Sequence, residues 1–277
     1  MRRAVNKSSL RIVVFILLVI VAAQAFGQAW ATGPSLKPRR IPSQVAYTQS
    51  EKVLMFEVHV ALQYTNLAAP SLSELKQEGF TLLGTQVYLN WQSWSGLAAW
   101  IKSVHAAGFR AFTLLGWEKT DVAGMTDLVR RSVSAGADVI VLDELITEYE
   151  FNQDQLLSII DAGLKMKQQL QFIVDEYTTE SITNAYKWTS YYRCVRVATD
   201  NYIDKTTIDL TIKLSAQYGA KRALAWLIFS QGSQSFPCYN ELDAWVAYTK
   251  QLGVDAAFWY VDESGTWQAK WQSVASF

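Results

Sequence analysis

From residue 53 onward the chain alternates short apolar runs with segments whose apolar positions recur at helical spacing. The runs are VLMFEVHV (53–60), TLLGTQVYLN (81–90), RAFTLLGWE (110–118), ADVIVLDE (137–144), LQFIVDEY (170–177), CVRVATDNY (194–202), RALAWLIFSQ (222–231) and DAAFWYVDE (255–263). Each reads as a strand, nearly continuous in branched and aromatic residues, as expected where both faces of a sheet are covered. Eight helical patterns follow them in turn, from SLSELKQEG to TWQAKWQSVASF, and several close on a glycine: Gly108, Gly136, Gly219 and Gly253. A glycine there supplies the left-handed residue that stops a helix. Strict alternation predicts a parallel sheet, and eight units predict an α/β fold of one (β/α)8 TIM barrel, eight parallel strands with outer helices. An open doubly wound sheet would more often carry a glycine-rich phosphate loop. No G-x-G-x-x-G follows the first strand, no GxxxxGK[ST] occurs, and no cofactor is expected.

The N-terminus has a different pattern. MRRAVNKSSLR carries four basic residues and no acid, IVVFILLVIVAA is a purely apolar run, and Ala29-Trp30-Ala31 offers a small-residue cleavage site. Residues 1–31 therefore read as a secretory signal peptide. The run is shorter than the ~20 residues of a spanning helix. Left uncleaved, it would serve as an N-terminal anchor. Both outcomes predict a secreted or otherwise extracytoplasmic chain, with no other membrane contact. Residues 32–52 read as a linker and 53–277 as the barrel domain.

Charge narrows the partners. The chain holds 25 basic and 25 acidic residues; without the four basic residues of 1–31, 21 basic remain against 25 acidic. Phosphate binding needs clustered Lys and Arg, and the one basic cluster, Lys37 to Arg40, falls in the linker. No nucleic-acid partner is expected, and the barrel is expected to be monomeric. The two cysteines, Cys194 and Cys238, give no disulfide framework. The strand order puts them at opposite ends of the barrel, so they are not expected to pair.

Barrel sites assemble at the C-terminal ends of the strands, and three strands deliver acid pairs there: Asp143-Glu144, Asp175-Glu176 and Asp262-Glu263. Glu57 and His59 end the first strand, Asn90 and Trp91 follow the second, and Asp200 ends the sixth. At the opposite ends stand Lys52, Thr81, Arg110, Asp138, Gln171, Lys221 and Asp255, read as solvent-facing residues that serve stability. Alternation lets only one member of each acid pair face the barrel axis, and neither face of VIVLDE is plainly polar. Two carboxylates in one cleft suit glycosidic bond cleavage, one donating a proton while the other attacks or activates water. Flat aromatics suit the apolar faces of sugar rings. Tyr88, Trp91, Trp117, Tyr177 and Tyr260 are the candidate platforms, with Asn90, Glu57 and His59 as polar contacts to a carbohydrate substrate.

The strand-four stretch GADVIVLD resembles the G-x-D-x-[VI]-x-[LIV]-D pattern of secreted (β/α)8 glycoside hydrolases that include the endo-α-1,4-polygalactosaminidase family. That resemblance implies a catalytic Asp143 partnered by Glu176 at the end of strand five. Resemblance to the α-galactosidase-like clan would instead implicate Asp200 on strand six. The D-x-x-D-x-D-x-E run of chitinase-like barrels is absent from strand four. The expectation is a secreted glycoside hydrolase using Asp143 with Glu176, and with Glu144, Asp200, Asp262 and Glu263 as reserve acids. Two alternatives stay open. One is a catalytically silent glycan-binding barrel; the other is a metal-dependent barrel enzyme in which Glu57 and His59 join a strand-end acid. The chain has only two histidines, His59 and His105, so a multi-histidine zinc site is not expected, and no metal ligand is assigned.

Overall fold

The computed structural model describes residues 51–56, 71–88, 93–116, 118–200, 205–218, 224–228, 242–260, 274–275 and 277; at 200, 226–228 and 259–260 it describes the backbone alone. The strands are β1 (Lys52–Phe56), β2 (Leu82–Gln86), β3 (Arg110–Leu115), β4 (Val139–Asp143), β5 (Gln171–Asp175), β6 (Val195–Asp200), β7 (Leu224–Ile228) and β8 (Asp255–Tyr260). They pair in parallel in chain order, and β8 closes on β1. The described helices are α1 (Leu72–Gln77), α2 (Trp94–Ala106), α3 (Val122–Ala135), α4 (Gln153–Met166), α5 (Thr179–Thr189), α6 (Lys205–Gln217) and α7 (Leu242–Leu252). The fold is the closed (β/α)8 barrel that the alternation predicts. Of the eighth expected helix, only Val274 and Ala275 are described as helical.

Local chemistry sets the helix ends. Ser71, Asn152 and Thr178 each form a capping box with the residue three positions on, and Asp121 accepts from the backbone N–H of Gly124 at 2.8 Å. Gly108, Gly136 and Gly253 follow their helices at positive φ, as expected. Gly219 and Cys238 lie outside the described residues, while Cys194 is buried just before β6.

The register settles which way each strand residue faces. Partners in a parallel pair share a face, so Val139, Val141 and Asp143 align with Gln171, Ile173 and Asp175. The opposite face packs against the helices. Phe172 lies against Gly163 of α4, and Phe56 meets Trp100 of α2 edge-on at 6.5 Å. The first set therefore fills the barrel, in which Phe112 covers Gly84 so closely that a Cβ there would stand 2.3 Å from the ring.

Polar residues close the floor of this interior. Arg196 of β6 is 0% exposed and donates from Nη1 to Glu51 at 3.1 Å and from Nη2 to Asp255 at 2.7 Å. Arg110 reaches across from β3 to Glu51 and to Gln171 of β5. Five strands are thus tied together through β1's entry residue. This corrects the reading of the N-terminal ends as solvent-facing: Asp255 is 1% exposed, and Lys52 and Gln171 are also buried. Lys52 turns outward, donating to the carbonyls of Glu78 and Ala275 at 2.9 and 3.1 Å. Asp138 lies between, half-buried, bonded to Lys167 and His105 at 2.8 Å each. Lys221 lies outside the described residues.

A buried charge left without its partner costs far more than an exposed one. Arg196→Leu is expected to lower the unfolding free energy by about 3–5 kcal/mol in urea titration. Arg130→Ala, which breaks only an exposed pair with Asp127, is expected to change it by less than ~1 kcal/mol.

Candidate active site

β4 carries Asp143 to the C-terminal mouth of the barrel, on the inner face with Val139 and Val141. β5 brings Asp175 beside it as its register partner. Adjacent strands lie about 4.8 Å apart, and the register puts both residues on the inner face. Asp143 is partly exposed and Asp175 only 1% exposed. Asp143's carboxyl is held well above the usual aspartate range, first by burial and then by the negative charges of Glu144 and Glu176. Burial thus favours the protonated acid at this position.

The backbone around Asp143 leaves little freedom. Glu144 continues the ladder, its N–H donating to the Asp175 carbonyl at 2.8 Å, and then turns the chain with φ 55°. That left-handed conformation is uncommon for a side chain longer than Asn or Asp. Glu148 N–H closes the turn onto the Glu144 carbonyl at 2.8 Å. On the other side Gly116, at φ 141°, passes so close that a Cβ would stand 2.3 Å from the Asp143 carbonyl oxygen. Tyr149 donates its hydroxyl to the Gly116 carbonyl; burial, with Asp143 next, pushes that hydroxyl up to about 12.

Glu176 sits differently from its expected place. It is 0% exposed, and both its oxygens are taken: Oε1 accepts from Ile146 N–H at 2.7 Å, Oε2 from Thr147 N–H at 3.1 Å and from the Thr147 hydroxyl at 2.7 Å. Its carboxyl is raised by burial, with those donors pulling the other way. Register places Asp175 on the inner face beside Asp143, and Glu176, the next residue, on the opposite parity. Which member of each acid pair faces inward is open from the sequence, and the parity of VIVLD against QFIVD answers it once the inner face is known.

The other expected site residues divide by position. Glu144 is partly exposed beside Asp143. Tyr177, partly exposed, donates its hydroxyl to Glu148, and that carboxylate first and burial second push the phenol up to about 12. Tyr88 accepts from Nε2 of Gln86, the inward residue that ends β2, at 2.7 Å. Asp200 ends β6 two residues after the inner position of Ala198, and Tyr260 ends β8 in register with Phe56. Glu57, His59, Asn90, Trp91, Trp117, Asp262 and Glu263 lie outside the described residues. Among the described residues no three His, Cys, Asp or Glu side chains are arranged to hold a metal ion.

No protein-family model matches the chain. No curated protein matches its sequence. Solved structures share the fold. A truncated 3-deoxy-D-arabino-heptulosonate 7-phosphate synthase from Thermotoga maritima gives a TM-score of 0.54 at 9% identity, covering 82% of this chain and 84% of that one. An HpcH/HpaI aldolase from Desulfitobacterium hafniense gives 0.51 at 7% identity, covering 82% and 92%. A GH18 chitinase from Pseudoalteromonas aurantia gives 0.50 at 10% identity, covering 80% and 100%. These are barrel enzymes of different classes, so the likeness extends to the fold alone.

The raised carboxyl has a consequence for stability. Below the ordinary aspartate range Asp143 is protonated in both folded and unfolded chains and contributes nothing. As pH rises, the unfolded chain releases the proton first, so the folded state loses stability toward neutrality. Asp143→Asn imitates the protonated form. It is expected to melt higher than the parent near neutral pH, by about 2–4 °C per kcal/mol recovered, and alike near pH 3, as differential scanning fluorimetry across pH would record.

Proposed function

We propose that this barrel hydrolyses a glycosidic bond in a polysaccharide or glycoconjugate, with Asp143 as the proton donor and Asp175 as its ionised partner. The observation that carries the reading is the inward carboxyl pair on neighbouring strands at the barrel mouth, with one member favoured in its protonated form. Burial, then the charges of Glu144 and Glu176, favour the protonated form of Asp143, which suits it to the acid role.

We propose the retaining route for this pair. Carboxyl groups about 5–5.5 Å apart serve a double displacement, whereas inversion needs ~6.5 Å or more to admit water. In the first step Asp143 gives its proton to the glycosidic oxygen as the bond from that oxygen to the anomeric carbon breaks. Asp175 bonds to the anomeric carbon, forming a glycosyl ester. In the second step Asp143, now a carboxylate, takes a proton from water. The water oxygen bonds to the anomeric carbon, the ester bond breaks and Asp175 leaves as carboxylate. Tyr177 and Tyr88 flank the mouth as ring surfaces for sugar. The leader-like residues 1–31 support an extracytoplasmic substrate.

Reducing-end release from a panel of microbial and plant polysaccharides tests this. Asp143→Asn and Asp175→Asn are each expected to lose about 10²–10⁴ in rate, and Glu144→Gln less than ~10-fold. Activity should survive EDTA, and the first product should keep the anomeric configuration of the substrate. Full activity in Asp143→Asn would refute the proposal, and a loss on Glu144→Gln matching that of Asp143→Asn would move the partner role to Glu144.

A further inference from the structure

We infer that Glu176 is a positioning residue whose buried carboxylate clamps the turn after β4 and thereby sets the place of Asp143. The inference rests on Asp143 as the proton donor but concerns a different residue and a different kind of role. Glu176 follows Asp175, so alternation turns it away from the barrel axis and back behind the turn. There it meets three donors from two consecutive residues, the N–H groups of Ile146 and Thr147 and the Thr147 hydroxyl. A carboxylate that accepts two backbone N–H groups side by side fixes both peptide planes, and charged acceptors make such bonds stronger than neutral ones.

The clamp bears directly on the acid. Ile146 lies three residues after Asp143, and between them Glu144 holds its left-handed φ of 55°. Nothing in the local sequence ELIT favours that conformation: Glu, Leu and Ile lack the short side chain that tolerates it. It must be imposed from outside, and Glu176 supplies anchor points two and three residues further on. The ladder bond from Glu144 N–H to the Asp175 carbonyl supplies the other end. The same β5 terminus therefore presents the partner carboxylate inward and secures the loop of the acid outward. Charged or titratable groups around Asp143 and its loop are Glu144, Glu148 and Tyr149 in the loop, Asp175 at the end of β5, Glu176 and Tyr177 after it, and Glu118 beyond β3.

Amide hydrogen exchange and steady-state kinetics together test this. In Glu176→Gln an amide NH2 replaces one acceptor oxygen, so the Ile146 and Thr147 amides are expected to exchange at least tenfold faster while the amides of β4 keep their protection. On a substrate that the parent cuts, kcat should fall about 10–100-fold with KM within threefold. The basic limb of the pH profile should move to lower pH as the negative charge near Asp143 is lost. Thr147→Val, which keeps the shape and removes one donor, should shift the same readouts by less, and Thr147→Ser should restore them. If Glu176→Gln fails to fold, the Thr147 pair decides alone. Unchanged exchange at Ile146 and Thr147 overturns the inference. So does a loss of kcat equal to that of Asp143→Asn with the pH limb unmoved, since Glu176 would then be a reacting group. Exchange reports the clamp even where no glycan is cut, so its failure is distinct from failure of the glycosidase reading.

Discussion

Arg196 cannot lose its charge, and a strand buried on both faces offers it no water. It can exist there only among carboxylates, and the space that supplies them is the barrel interior, where Glu51 and Asp255 meet it at 3.1 and 2.7 Å. That requirement fixes the facing of β6. Parallel register then carries the same parity around the closed sheet, from Arg196 to Ile173, from Ile173 to Val141, and onward. Once Arg196 faces in, Asp143 and Asp175 face in as well, and Glu176 must face out. The chemistry at the mouth is thus set by an ion network at the floor.

The two ends of the barrel use charge in opposite ways. At the floor, Arg196 and Arg110 offset Glu51 and Asp255, and burial is tolerable because each group has partners. At the mouth, the carboxyl groups of Asp143, Glu144, Asp175 and Glu176 gather, and among the described residues no Lys or Arg forms an ion pair with Asp143 or Glu176. The cost there falls on Asp143, whose proton is retained because the ionised form is poorly solvated and repelled. A fold that spends stability on one acid commonly does so where a proton must be delivered near neutral pH.

Much of this was legible in the chain itself. The eight runs, the helical spacing between them and the closing glycines predict the barrel, because each signal is local and repeats. The stretch GADVIVLD runs from the end of α3 through β4, and its parts lie at opposite ends of the barrel. Gly136 stops α3, Asp138 bonds Lys167, His105 and the Ala111 amide on the floor side, and only Asp143 reaches the mouth. Facing was harder to read, since VIVLDE is apolar on both sides. The clue is the lone arginine in CVRVATD, which meets its carboxylate partners Glu51 and Asp255 only on the inner face. The contacts of Glu176 are not legible in the sequence, because its partners, Ile146 and Thr147, are thirty and twenty-nine residues away in a turn with no sequence signature.

Everything at the mouth depends on Asp143 keeping its proton when ordinary aspartates have lost theirs. Carboxyl-carbon NMR titration of Asp143, assigned by difference against Asp143→Asn, measures this directly and needs no substrate. The predicted result is a midpoint well above the usual aspartate range. A midpoint at the ordinary aspartate value would contradict it, and with it the assignment of Asp143 as the proton donor.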